Sequence, residues 1–470
     1  MKKILIGLAL LVVVLIVAVG GYAAHLVGKL NSPEFQEQVR AEVSRQMGAE
    51  VRLQEMDIAL ASGVTLRGVA VTNPAPFEGD LFSAEAFVLR YKLMPLLSGR
   101  VEVEQLALEK PVVGLIVDQD GRFNYEALGG EAPGSPGSAS PAGEAAEPST
   151  GKAAGPSDAP SAGAEASSSL DIVLSEVKVS HAYVTMIDQA DVSLMTIEDA
   201  NFHAALQVTG GVTQGQAKAS IATVSMADML FVRDVVAPLT LSTEQVQLSP
   251  IEGTVAGGKA TGEMTTHLTD GFRYDGKLDL SGVSVKTLLQ EAQSSFKVAG
   301  TLQGQMTFEG TGPMSTLKAN GHAEVVDCRI EDSKMLALLA TVLKVPELAS
   351  PEFDDCRIEY SLANNVVTTP VVSLKGQAIE VAGKGTMHLV RSTLDYDLKL
   401  ALTEALLNKI TVPQLRGAFE PRGDGFSEIA FRAYGTTDAP QTDLLNRVGR
   451  AAAEDAVKGQ VNRLLKRKLF

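Results

Sequence analysis

The chain has 470 residues, enough for two or three domains of ordinary size and a substantial core. It is 45% hydrophobic but only 5% aromatic, with no Trp and 43 Gly, which suits many short strands broken by turns better than a helical bundle. A formal net charge of −15 excludes the basic surface that nucleic acid needs, and two cysteines exclude both a disulfide-dense scaffold and a four-thiolate metal site.

The first predicted element is an apolar helix. Residues 4–24, with Ile4, Leu5, Leu11, Leu15 and Val19 among them, carry no charge. At about 1.5 Å per residue such a run crosses a hydrocarbon core of roughly 30 Å. A cleaved signal peptide is the competing reading, but its apolar core is shorter, about 7–15 residues. Lys2 and Lys3 precede the run and favour a cytoplasmic N-terminus. Residues 1–28 are therefore expected to be a single-pass anchor in a bacterial inner membrane, with the body in the periplasm.

Residues 29–130 open with Ser32-Pro33, an N-cap followed by Pro at the first helical position. Phe35, Val39, Val43 and Met47 then recur every four residues, and Gly48 stops the helix. From Val51 the period changes to two, with breakers at Asn73-Pro74 and Ser98-Gly99, which predicts a β-meander to about Leu128. Residues 131–170 differ, because 32 of the 40 are Ala, Gly, Ser or Pro and too little apolar surface exists to offset ordering. This segment is expected to be a flexible linker that separates the first β-segment from the rest.

Period-two alternation resumes over 171–440, clearest at Leu394, Tyr396, Leu398, Leu400 and Leu402 with Asp395, Asp397 and Lys399 between them. Gly257-Gly258, Gly262, Gly300, Gly304, Gly310, Gly376, Gly383 and Gly385 are expected where strands bend or turn. Two helices are predicted to interrupt the strands, at 285–293 and at 333–345. In the second, Met335 to Leu343 holds one polar side chain, Thr341, so burial on nearly every side is expected. Contact of this helix with lipid is the alternative. Residues 441–470, with Leu444, Val448, Val457, Val461, Leu464 and Leu465 at helical spacing and a basic tip at Lys466-Arg467-Lys468, predict an amphipathic C-terminal helix.

The string DCRIE occurs at 327–331 and again at 355–359, which sets Cys328 and Cys356 at equivalent strand positions. A disulfide between them is one reading and two buried thiols the other. The spacings of a nucleophile elbow, a P-loop, a zinc-binding HExxH and a CxxC are absent, and the six histidines are scattered singly. Asp118-Gln119-Asp120-Gly121 begins like a calcium loop, but position twelve is Gly129, and Asp-Gly between alternating runs reads as a turn. No enzyme activity, cofactor or metal is expected.

Pro95, Leu96, Leu97, Gly99, Leu106, Leu108, Pro111, Asp120, Gly121 and Asn124 lie in YKLMPLLSGRVEVEQLALEKPVVGLIVDQDGRFNYEAL. This pattern, after an anchor and a short helix, resembles the AsmA family. SKMLALLATVLKVPEL and LKGQAIEVAGKGTMHLVRSTLDYDLKLAL are similar to that family's C-terminal part. The resemblance implies a long, curved, groove-like antiparallel sheet, similar to bridge-like lipid-transfer proteins. It also implies a role in outer-envelope biogenesis by binding or guiding phospholipids, with assembly of outer-membrane or other envelope proteins as the alternative. Leu336, Leu339, Val342, Leu343, Leu398 and Leu400 are the candidate lipid-facing residues, and no catalytic residue carries over.

Overall fold

The computed structural model describes residues 32–59, 63–92, 94–95, 101–118, 121–128, 172–209, 212–269, 273–294, 296–311, 316–331, 334–411, 413–437, 439–444 and 446–447. The predicted anchor, the 131–170 segment and most of the predicted C-terminal helix lie outside these residues. Among the described residues no helix is long and apolar enough to cross a membrane.

The N-terminal part holds α1 (Pro33–Met47), β1 (Val51–Arg52), β2 (Glu55–Ala59), β3 (Gly63–Thr72), β4 (Asp80–Tyr91), β5 (Val101–Glu109) and β6 (Val112–Val117). Helix α1 starts where Ser32 Oγ accepts a hydrogen bond from the Phe35 N–H at 3.3 Å, and it ends at Gly48 in the left-handed region. Next come β7 (Ile172–Asp188), β8 (Ser193–Thr209), β9 (Val212–Met226), β10 (Leu230–Ser242), β11 (Gln245–Val255), β12 (Gly258–His267) and β13 (Arg273–Ser284). Helix α2 (Val285–Glu291) leads into β14 (Lys297–Thr311) and β15 (Lys318–Glu331), and α3 (Lys334–Leu343) into β16 (Glu352–Ala363), β17 (Val366–Lys375), β18 (Ile379–His388) and β19 (Thr393–Thr403). The last elements are α4 (Glu404–Leu407), α5 (Pro413–Arg416), β20 (Glu420–Pro421), β21 (Phe426–Thr436) and β22 (Pro440–Thr442).

All 22 strands form one sheet. From β7 to β19 each strand pairs antiparallel with the next, and β21 follows β19. The expectation of a purely antiparallel sheet is corrected at one place. β5 and β6 both pair antiparallel with β4 and parallel with β7, so they act as one strand, interrupted at Lys110-Pro111. The sheet therefore continues across the sequence position of the 131–170 segment. A parallel pair needs a long return connection. Here that connection lies between Val117, the end of β6, and Ile172, the start of β7.

The direction of each strand sorts the connections onto two long sides of the sheet. On one side, here the hairpin side, lie the connections β8–β9, β10–β11, β12–β13, β14–β15, β16–β17 and β18–β19. Helices α2, α3, α4 and α5 all lie in connections on the opposite side, the helix side.

Fully buried side chains concentrate at the two ends of the sheet, with a smaller cluster around Val255 and Val283 under α2. At the first end Val64, Leu66, Phe87, Leu89 and Val103 pack together, with Phe35 and Val39 of α1 against them. At the other, Leu343, Val345 and Leu348 pack on Phe353, Leu402, Leu406 and Ile410. Helix α3 contributes Ala340 and Leu343 to that core while Ala337 and Thr341 stay exposed, so it is covered on one face and not all round.

The residues that carry the N-terminal resemblance act structurally where they are described. Asn124 is completely buried, and its Nδ2 donates to Asn73 Oδ1 at 2.7 Å and to the Gly114 carbonyl at 2.8 Å. Asp118 Oδ1 accepts from the Arg122 N–H at 2.8 Å and Gly121 has φ +79°, so this stretch is a turn. Asn124→Ala would leave two part-buried acceptors without that donor, a loss of about 1–3 kcal/mol that should lower the urea midpoint of unfolding. Leu402→Ala should lower it further, by about 2–5 kcal/mol, because Leu402 is 0% exposed.

Candidate functional site

Residues paired across neighbouring strands point to the same face of a sheet, so the register can be followed from strand to strand. Val64 pairs with Leu89, Leu89 with Leu106, Leu106 with Val177, and Val177 with Ala204. The row continues through Ala217, Leu239, Leu248, Met264 and Gly276. It then passes through Phe308, Ala319, Leu362, Val367, Met387 and Leu394 to Gly435. Every member is apolar or glycine, one from each of 17 strands. At ~4.8 Å per strand the row is about 75 Å long.

The opposite face is polar. Glu263 pairs with Lys277, His322 with Glu359, Glu324 with Arg357 and Asp397 with Arg432. Ion pairs tie these strands together, among them Arg357–Glu324 at 3.1 Å, Lys399–Glu428 at 2.6 Å and Arg432–Asp395. The Arg432 guanidinium holds the Asp395 carboxyl below its usual range. A depression of about 480 Å³ lies mostly among polar-face side chains, including Glu263, Asp275, Lys277, Glu309 and Lys318. Its two lysines face acids, at 3.6 Å for Lys277–Glu263 and 3.9 Å for Lys318–Glu309.

Between the two end cores much of the apolar face is half-buried, as at Leu239, Leu248, Met264, Leu278, Met306, Phe308, Leu362 and Leu394, while Val255 and Val283 form a smaller closed cluster under α2. Its floor is made in an unexpected way. Four register pairs set a glycine opposite an aromatic ring: Gly310 with Tyr274, Gly276 with Phe308, Gly321 with Tyr360, and Gly385 with Tyr396. A Cβ at Gly310 would lie 2.3 Å from Tyr274 Oη, and one at Gly385 2.4 Å from Tyr396 Cδ1. The rings thus lie across the glycines, close to the backbone. The Tyr396 ring crosses Gly385, and its hydroxyl hydrogen-bonds Thr369 Oγ1 at 3.1 Å, two strands away. Burial pushes the Tyr274 and Tyr360 phenols up.

These glycines were expected to mark bends or turns. Gly257, at φ +81°, does form a turn and Gly300, at φ +144°, sits at a register shift. Gly262, Gly304, Gly310, Gly383 and Gly385 instead lie within strands as clearances for neighbouring side chains or backbone. The signal in sequence would have been glycine at the period-two apolar positions, opposite an aromatic once register is known.

Of the candidate lipid-facing residues, Leu343 (1% exposed) and Leu400 (5%) are packed inside the C-terminal core, which corrects their assignment to a lipid surface. Leu336 and Leu398 are half-buried, and the side chains of Leu339 and Val342 lie outside the described residues. Ile4, Leu5, Leu11, Leu15 and Val19 also lie outside them. The two DCRIE strings fold differently, because Asp327 has φ +53° and Asp355 does not. Cys328 pairs with Phe353 and Cys356 with Val325, so the cysteines are not directly opposite. They are buried free thiols whose side chains lie within hydrogen-bond reach of one another. A hydrogen bond with Cys328, and then burial, push the Cys356 thiol up. Among the described residues no three His, Cys, Asp or Glu side chains gather as a metal site.

The ring-over-glycine arrangement makes a direct prediction at Gly310, where the three nearest obstacles all belong to the Tyr274 side chain. Gly310→Ala alone should destabilise by about 1–3 kcal/mol through overpacking. In a Tyr274→Ala background most of that loss should vanish, a coupling read from urea midpoints of the four proteins.

Comparison with known proteins gives one match. Residues 1–207 fit the AsmA family, a stretch that runs through β8 and so includes both the buried Asn124 and the parallel junction. No curated protein and no solved structure matches. The N-terminal part of the chain, residues 1–207, is thus similar to the AsmA family.

Proposed function

We propose that this protein binds phospholipid along the uncovered apolar face of its sheet and guides it in the bacterial envelope, without making or breaking a bond. The observation that carries the reading is the register-continuous apolar row, half-exposed between two closed cores. The family match and the single large sheet are consistent with a role in lipid transport or envelope biogenesis. In this reading the N-terminal anchor holds one end at the inner membrane and the body acts in the periplasm.

The energetic case is simple. An acyl chain of about fifteen methylenes forfeits roughly 12 kcal/mol in water, at ~0.8 kcal/mol per methylene. The strip of half-buried apolar side chains between the end cores offsets part of that at each strand it crosses, whereas no single enclosed pocket is needed. The bulges recorded as register shifts in β10–β11, β11–β12, β13–β14 and β16–β17 bend the strands and favour a curled sheet.

The test is binding of a fluorescent phospholipid to the purified protein, with lipid extraction and mass spectrometry to identify what copurifies. Leu248→Asp and Met306→Asp put a charge on the half-buried apolar face and should each weaken binding by about tenfold, the effect of ~1.4 kcal/mol. Gln303→Asp, on the polar face of the strand that holds Met306, should leave affinity unchanged. Equal affinities for all four proteins, or a wild-type protein that retains no lipid, would remove the proposal.

A further inference from the structure

The apolar face is not uniform along its strands. From β10 to β19 the side chains on this face that carry a hydroxyl are Thr266, Tyr274, Tyr360, Thr369 and Tyr396. Each lies within four residues of the hairpin end of its strand. Toward the helix side the same face carries Val232, Val255, Leu280, Val298, Phe353 and Leu374, with no hydroxyl. Helices close over that side as well: Leu288 of α2 packs on Val255 and Val283, and Leu343 of α3 packs in the C-terminal core.

From these observations we infer that a bound phospholipid lies along the strands in one orientation, its acyl tails toward the helix side and its polar head toward the hairpin side. The inference rests on the lipid reading above and adds a direction to it. Hydroxyl-bearing rings are amphipathic, with an apolar body and a polar tip, and they sit where one end of a ligand is apolar and the other wet. The tail strip is long enough. From Tyr274 to Leu280, both half-buried, the strand advances about 20 Å, against the roughly 15 Å of one leaflet in a ~30 Å hydrocarbon core. A headgroup placed on the helix side would instead be desolvated among aliphatic side chains without hydrogen-bond partners, a loss of several kcal/mol.

Two photoreactive phospholipids test this on the full chain, one with a diazirine at the tip of an acyl chain and one with it in the headgroup. Labelled peptides are mapped by mass spectrometry. The tail-tip probe should label the helix-side positions around Leu280 and Val298 over the hairpin-side positions around Met264 and Leu394 by about fivefold or more, a preference of ~1 kcal/mol. The headgroup probe should give the reverse. Combined replacement Thr266→Val, Tyr274→Phe, Tyr360→Phe, Thr369→Val and Tyr396→Phe should bring that contrast toward one. Strong labelling of both strips by both probes overturns the orientation while leaving lipid binding standing. No labelling by either probe overturns the lipid reading and the orientation with it. An unchanged contrast in the hydroxyl-free protein shows that these five groups do not set the direction.

Discussion

Everything about this molecule depends on keeping seventeen strands in phase. Because side chains alternate from face to face, a slip of one residue in any pairing would send that strand's apolar set to the polar side. The irregular residues hold the phase. Between Val325 and Cys328, Asp327 takes φ +53°, and the extra residue returns Cys328 and Ile330 to the apolar face. Gly300 does the same on the adjoining strand, opposite the shift, and Gly282, at φ +67°, does so between Leu280 and Val283. The left-handed residues are therefore where register errors are absorbed.

The polar face and the edges serve a different purpose from the cores. Its ion pairs are exposed, and exposed pairs contribute about 0–1 kcal/mol each; their arrangement opposite one another favours the correct pairing over a slipped one. The outer strands are also closed to further strands. On β21, β20 and β22 each cover part of the edge, and Asp443 Oδ1 accepts from the Arg432 N–H at 2.7 Å. At the first edge the Gln36 side chain donates to the Met56 carbonyl at 3.0 Å and Ser44 Oγ accepts from the Val51 N–H at 3.0 Å. Blunted edges prevent sheet-to-sheet association, which the length of this sheet would otherwise invite.

Much of this was legible in the amino-acid order because the alternation is strict. Leu394 to Leu402 marks one strand with its oily and wet faces, and Ser32, Pro33 and Gly48 bound α1 by cap chemistry alone. What could not be read depends on partners far apart in sequence. Nothing local distinguishes β5 and β6 from other hairpin strands, yet their second neighbour is β7, more than fifty residues on. Leu400 and Leu398 share one face, and only the end core around Leu343 and Leu402 decides that the first is buried and the second half-exposed. Glycine inside a strand normally weakens it; here its value appears only when the register sets Tyr274, Phe308, Tyr360 and Tyr396 opposite four of them.

The same glycines connect fold to function. A face meant to be sealed by its own protein is filled by interdigitating side chains, as happens at both ends where Leu89, Leu343 and Leu402 are fully enclosed. Between the ends the large rings lie down over glycine instead of standing up to meet an opposing layer. Soluble proteins seldom expose more than a few hundred Å² of contiguous apolar surface. The low strip between the end cores is the feature on which the proposed lipid binding rests. The flattened rings keep the strip clear, the end cores hold it rigid, and strand-to-strand continuity removes any barrier between one strand and the next. Under the proposed lipid binding, movement along the sheet would require no opening or closing step, because each position exchanges one set of apolar contacts for a similar set on the adjacent strand.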